Sequence, residues 1–227
     1  MHIEAGVVQG AKMILSYGTA ATVFGLGAKL AWENVRENGL LSLLLKSLIS
    51  TVLVFTFFEI FPHYPVGVSE VHLILGTTLL LLFGVAPAMI GLALGLLIQG
   101  VFFAPFDLPQ YGINVTTLLA SMLILYSAAR RIVPEGTAYK DITYTQMLKL
   151  SIIWEGAVVG WVAFWALYGQ GFGAENLQQV LSFGGAYMLV VILEPLIDLA
   201  ILSAVKAFYK SDRCHLLFDK RLTNCRA

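Results

Sequence analysis

The sequence predicts an all-α integral membrane protein, a bundle of about seven transmembrane helices with its N-terminus outside and its C-terminus in the cytoplasm. Three observations predict this. Of 227 residues, 58% are hydrophobic and 12% charged, about half the charged share of an ordinary soluble domain, roughly 25%. Several apolar runs approach the ~20 residues that a helix needs to cross hydrocarbon. The basic residues fall in alternate loops, as expected where cytoplasmic loops retain Lys and Arg.

The elements follow in order from polar or Gly/Pro-rich breaks. The first span covers Gly6 to Ala31, before the polar turn from Trp32 to Gly39, and the second covers Leu40 to Phe61, closed by Pro62. The stretch from Glu70 to Ala104 is too long for one helix. Gly84 and Pro87 supply a stop and a new start, dividing it into a third and a fourth span. The fifth runs from about Gly112 to Ala129, the sixth from Met147 to Tyr168, and the last apolar run from Leu177 to Tyr209. Glu194, Pro195 and Asp198 interrupt that run, so a kink is expected there. Residues 1–209 read as a single transmembrane domain with an N-terminal segment 1–6, and residues 210–227 as a short basic cytoplasmic tail.

Charge sets the orientation. Thirteen of the fourteen Lys and Arg surround the first and fifth breaks or fill the tail. The loops near residues 62–69, 105–111 and 169–176 contain neither, so these are assigned to the outside. Lys12 is the exception; near the outer end of the first span its stem can snorkel to the interface. Cys214 and Cys225 then lie in a reducing compartment, where no disulfide is expected. Zero formal net charge gives no reason to expect nucleic acid as a partner.

The chain starts Met1-His2-Ile3-Glu4 with no basic region before its first apolar run, unlike a cleavable signal peptide. Bulky His2 predicts that Met1 is kept, with a free amine after deformylation. In the predicted topology Met1, His2 and His72 share the outer end. The Met1 amine, the His2 amide nitrogen and the His2 Nδ1 form adjacent five- and six-membered chelates, and His72 completes a four-nitrogen square. Such a square suits Ni(II) or Cu(II) and accommodates Co(II), whereas Zn(II) prefers a tetrahedron. The plainer alternative is a frayed terminal residue and an interfacial helix start.

Met1-His2-Ile3, Val71-His72-Leu73-Ile74-Leu75-Gly76 and Gly112-Ile113-Asn114-Val115, with Phe83 to Phe103 between them, resemble the CbiM/NikM family. These are the cobalt- and nickel-specific substrate-binding membrane components of energy-coupling factor (ECF) transporters. The resemblance covers most of the chain through Asn114 and the remainder more weakly. It implies that the N-terminal segment folds into the membrane domain and that Met1, His2 and His72 hold the metal. The chain departs from the family pattern at Ile3-Glu4-Ala5-Gly6 and at Glu194-Pro195-Leu196-Ile197-Asp198.

Other polar residues have two readings each. His63, in the turn Pro62-His63-Tyr64-Pro65, is read as a solvated loop histidine outside the ligand set, with metal capture as the alternative. Gln99 and Asn114 are candidate supports that either hold the N-terminal segment or pair across helices. Glu155, Glu194 and Asp198 lie in or near hydrocarbon, where a lone charge costs about 2.5–3.5 kcal/mol on insertion scales, so they are expected to be paired, protonated or facing the bundle interior; for Glu194 and Asp198, one helical turn apart, a structural ion pair with Lys206 or Arg130 is the preferred reading. Gly18, Ala21, Gly25, Ala28 and Ala31, with the four-residue small pairs Ala21–Gly25 and Gly27–Ala31, give the first span a small-residue face, which serves either a partner's coupling subunit or packing within the bundle.

The expected function is therefore a substrate-binding subunit in the bacterial inner membrane that captures Ni(II) or Co(II) from outside. Separate transmembrane coupling and ATPase subunits supply the energy, because no Gly-rich loop ending in Gly-Lys-Ser/Thr occurs. An accessory membrane subunit that keeps the fold without transport is the alternative. An intramembrane enzyme is disfavoured by the lack of a nucleophile and base in one cluster.

Overall fold

The computed structural model describes residues 2–208; Met1, Cys214, Cys225 and the predicted basic tail lie outside the described residues. Seven α-helices follow in order: α1 (Met13–Asn38), α2 (Leu40–Phe55), α3 (Gly76–Phe83), α4 (Val85–Phe102), α5 (Tyr111–Ile132), α6 (Tyr144–Gln170) and α7 (Ala174–Phe208). A two-stranded antiparallel hairpin, β1 (Tyr64–Val66) and β2 (Ser69–Val71), lies between α2 and α3. The chain is thus mostly helical rather than all-α.

Glycine at positive φ ends three of these helices. Gly39 (φ 83), Gly84 (φ 89) and Gly171 (φ 79) follow α1, α3 and α6, where a side chain would be strained. The predicted polar turn after residue 31 is helical to Asn38, because Trp32 to Asn38 contains no breaker before Gly39. A capping box of Thr143 and Gln146 starts α6. The kink expected at Pro195 leaves α7 helical throughout; Pro195 removes one internal hydrogen bond without ending the helix.

Six helices are long and apolar enough to cross a membrane among the described residues, and α3 is not one of them. Eight residues rise only about 12 Å, against ~30 Å of hydrocarbon. The predicted third span is corrected accordingly: Glu70 and Val71 belong to β2, and helix begins only after Leu75, whose φ is 57. Hydropathy misses this because a Leu-rich segment scores alike whether extended or helical. His72 nevertheless lies at the end of the bundle near His2, while Gly84 lines a cavity with Asn34, Glu37 and Arg130 at the other end. The chain still passes from one end to the other between them. Irregular backbone is tolerated at such depth only where protein covers it, and here Ile74 and Leu75 are buried.

Helix packing rests on small residues in α4. An added Cβ at Gly91 would lie 2.4 Å from Ser50 Cβ, and one at Gly95 would lie 2.6 Å from Val54 Cγ1. This Gly-x-x-x-Gly pair lets α4 and α2 approach backbone to backbone. The opposite face of α2 exposes Leu41, Leu44, Leu48 and Val52, an uncharged stripe at helical spacing that suits lipid contact.

Candidate metal centre

The N-terminal segment folds back into the bundle. Ile3 bridges Ser69 antiparallel to β2, the Glu4 amide donates to the Val68 carbonyl at 3.1 Å, and the Glu70 amide donates to the His2 carbonyl at 2.8 Å. The Ser69 hydroxyl also donates to the His2 carbonyl, at 2.8 Å. Residues 2–4 thereby act as a third strand beside the hairpin. The buried Ile3 amide donates to Asn114 Oδ1 at 2.9 Å, so Asn114 holds this segment, one of its two predicted roles. Ile3, Val7 and Val8 are buried as well. Each contributes about 1.5–3 kcal/mol relative to exposure, more than the ~1 kcal/mol of a typical hydrogen bond. Apolar burial therefore drives docking, and the hydrogen bonds set its register.

Close packing fixes the far side of the segment. A Cβ at Gly169 would lie 2.1 Å from the Val7 carbonyl oxygen. Lys12, the exceptional base, donates from Nζ to the Gly169 carbonyl at 2.8 Å and sits 5.8 Å from the Tyr168 ring centroid. Its charge stays at the end of the bundle, as snorkelling predicts.

These contacts bring His2 and His72 together. Their ring centroids are 5.0 Å apart, and both residues are nearly fully buried, with 2% and 1% exposure. His72 is not at a helix start, as the sequence suggested, but in the extended turn between β2 and α3. Phe58 packs against both rings, at 5.7 and 5.3 Å. It does so from a π-helical turn, Thr56–Ile60, an irregularity often found at functional sites. Gln99 Nε2 donates to the Phe58 carbonyl at 3.5 Å, so Gln99 supports the aromatic wall rather than the N-terminal segment. His63 is half-buried, its ring stacked on His72 at 5.0 Å and 8°, with Nδ1 3.1 Å from the Phe61 carbonyl. It is less solvated than a free loop residue.

Glu70 completes the cluster. Ligand-capable atoms of His2, Glu70 and His72 all lie within 4.8 Å of one another. Sequence reading singled out the two histidines and missed the carboxylate. A signal was present: Glu70-Val71-His72 in extended chain places residues i and i+2 on one face.

Burial lowers the His2 imidazole from 6.5 to about 4, partly offset by its hydrogen bond with Glu70. Burial also holds His72 well below its ordinary value. Both rings are consequently neutral near pH 7, the form that ligates metal. Burial alone would raise Glu70, but the hydrogen bond from His2 and neighbouring positive charge bring it below its usual value. Glu4, raised by burial and then by the Glu70 charge, adds a second carboxyl nearby. The site offers neutral nitrogen donors in a field that favours cations.

The membrane-embedded acids are arranged otherwise than expected. The Ile74 amide donates to Glu194, and the hydroxyls of Thr78 and Ser151 donate to Asp198 at 2.5 and 2.6 Å. Glu155 lies beside Tyr187 and Glu194. Lys206 donates instead to the Lys140 carbonyl, and Arg130 lies over the Tyr126 ring. The predicted pairing of these acids with Lys206 or Arg130 is corrected: α7 turns Glu194 and Asp198 toward α3 and α6, away from both bases.

The family model for a cobalt uptake substrate-specific transmembrane region, CbiM, matches residues 2–211. No curated protein sequence matches the chain. Among solved structures, a transition metal transporter has the same fold, with a TM-score of 0.66 at 18% identity, and the alignment covers 96% of each chain.

Proposed function

The chain belongs to the CbiM family of cobalt-uptake transmembrane proteins, and from that premise we propose that it is the substrate-binding subunit of an ECF-type importer. It captures Co(II) or Ni(II) at the outer end of the bundle, with the N-terminus outside and the C-terminus in the cytoplasm of a bacterial inner membrane. The observation that carries this reading is the buried meeting of His2 and His72, two neutral imidazoles drawn from sequence-distant segments with ring centroids 5.0 Å apart. The Met1 amine and the His2 amide nitrogen are the further ligands in this reading. Asn114 keeps the segment docked, Gln99 keeps Phe58 against both rings, and His63 backs His72 from its stacked position.

Energy comes from partners. Gly18, Ala21, Gly25 and Ala28 are all exposed on α1, and a Cβ added at Gly18 or Gly25 would meet nothing within 4 Å. Gly27 instead faces Met89 within the bundle. An open small-residue face supports docking of a transmembrane coupling subunit, with ATPase subunits attached in turn. An accessory role without transport has no observation in its favour.

The test uses the chain end. A terminal amine ligates only when unextended, because an added residue converts it to a weakly basic amide and shifts His2 out of chelate register. An N-terminal tag is expected to abolish stoichiometric metal binding and uptake, while the same tag at the C-terminus is tolerated. If an N-terminally extended protein, verified intact by mass, binds one Co(II) or Ni(II) with an unchanged spectrum, Met1 is not a ligand and the proposed site is wrong.

A further inference from the structure

Glu70 stands where a metal ligand would stand. Its Oε2 lies 3.0 Å from His2 Nδ1 and 3.4 Å from His72 Nε2. Nitrogen and oxygen donors bind a divalent transition metal at about 2.0–2.2 Å, so two donors at right angles on one ion are separated by about 3 Å. Both distances approximate such an edge. His2 Nδ1 is also the imidazole atom that closes the six-membered chelate with the His2 amide nitrogen. The carboxylate therefore points at the same nitrogen that the proposed chelate uses.

The surroundings hold Glu70 in that position. Its amide donates to the His2 carbonyl, and Glu70 pairs with Pro65 in the hairpin. Its side chain is only 16% exposed. His72 Nε2, the ring atom that faces Glu70, is buried with no hydrogen-bond partner among the described residues, as are His72 Nδ1 and His2 Nε2 on the far edges of the two rings.

Building on the reading proposed above, we infer that Glu70 is a direct oxygen ligand of the transported ion, added to the nitrogen donors, and that it selects Co(II) over Ni(II). Four nitrogens in a plane suit Ni(II) and Cu(II), whereas a carboxylate oxygen raises the coordination number and suits an ion without a square-planar preference. The oxygen takes the apical position above the nitrogen plane. The pocket then holds a five-coordinate ion, and Ni(II) bound there is forced out of its diamagnetic square-planar state.

The experiment compares untagged wild type, Glu70→Gln and Glu70→Ala loaded with Co(II) or Ni(II). Glutamine keeps the shape and a hydrogen-bonding end but supplies a poor ligand. In wild type, bound Ni(II) is expected to be paramagnetic and bound Co(II) to show the intense visible bands of a five-coordinate ion. In both variants Ni(II) becomes diamagnetic, and Co(II) affinity falls by at least the roughly 10- to 100-fold that loss of a merely orienting partner costs; Ni(II) affinity changes less. Diamagnetic Ni(II) already in wild type overturns the inference, as does a Glu70→Gln protein that keeps the wild-type spectra, since a carboxylate that only orients His2 is replaceable by the amide. These outcomes leave the transport reading standing. A wild type that binds neither metal overturns both readings. Should Glu70→Ala fail to fold, the wild-type spin state and Glu70→Gln decide.

Discussion

His72 and His63 lie side by side, yet their expected contributions differ greatly. His72 is 1% exposed and faces His2 and Glu70, whereas His63 supplies a stacked ring and bonds a backbone carbonyl. Replacing His72 by Ala is expected to remove stoichiometric metal while the protein still accumulates in the membrane. Replacing His63 removes an aromatic contact of about 0.5–1.5 kcal/mol, or up to roughly tenfold in affinity. Titration of both purified variants with Co(II) checks the ranking, and equal loss in the two would refute it. His2 and His72 were legible as candidates because both fall at the end of the chain's topology that the charge pattern assigns to the outside, and the structure brings their rings to 5.0 Å. Glu70 was not, because its value comes from a hairpin that hydropathy reads as the start of a membrane helix.

Two glycine contacts decide how the elements fit. At Gly169 the helix end of α6 passes against the Val7 carbonyl, and at Gly91 α4 passes against Ser50 of α2. Gly91→Ala places a methyl 2.4 Å from Ser50 Cβ and 2.8 Å from its carbonyl carbon, where backbone must move. Overpacking of this kind costs typically about 1–3 kcal/mol. Thermal unfolding in detergent should show a lowered midpoint for Gly91→Ala, while Gly156→Ala, with nothing within 4 Å of its added methyl, should be close to wild type. Comparable destabilisation by both would remove the case for a close α2–α4 contact. The long helices and the breaks at Gly39, Gly84 and Gly171 could be read from composition and breakers. The short α3 and the π turn at Thr56–Ile60 could not, since both depend on what packs beside them.

The whole molecule has two unlike ends. One carries His2, His72 and Lys12; the other carries a cavity of about 230 Å³ lined by Glu33, Asn34, Glu37 and Arg130. α6 runs between them, with Val7 against Gly169 at one end and Ser203 bonded to Tyr144 at the other. Phe106 and Phe172 are exposed, at 64% and 76%, and belong to the end that the charge pattern assigns to the outside. Cysteines placed at these two positions should react with an impermeant maleimide in intact cells, and a C-terminal reporter should be active only inside. A reporter active outside would reverse the orientation and turn the candidate metal centre toward the cytoplasm.

Sequence alone determined the membrane class and most of the helix order, because hydropathy and helix breakers are local properties of the chain, and it named His2 and His72 as candidates that the fold brings together. Tertiary structure decided what those properties leave open. Whether residues 70–75 run as helix or extended chain depends on the N-terminal strand that pairs with β2 and on Glu194, which accepts from the Ile74 amide. The partners of Glu194 and Asp198 depend on how α7 is turned, and the placement of Glu70 depends on a hairpin between α2 and α3. Each is settled by satisfying buried backbone and polar groups across segments up to 120 residues apart, a requirement no local window of sequence contains.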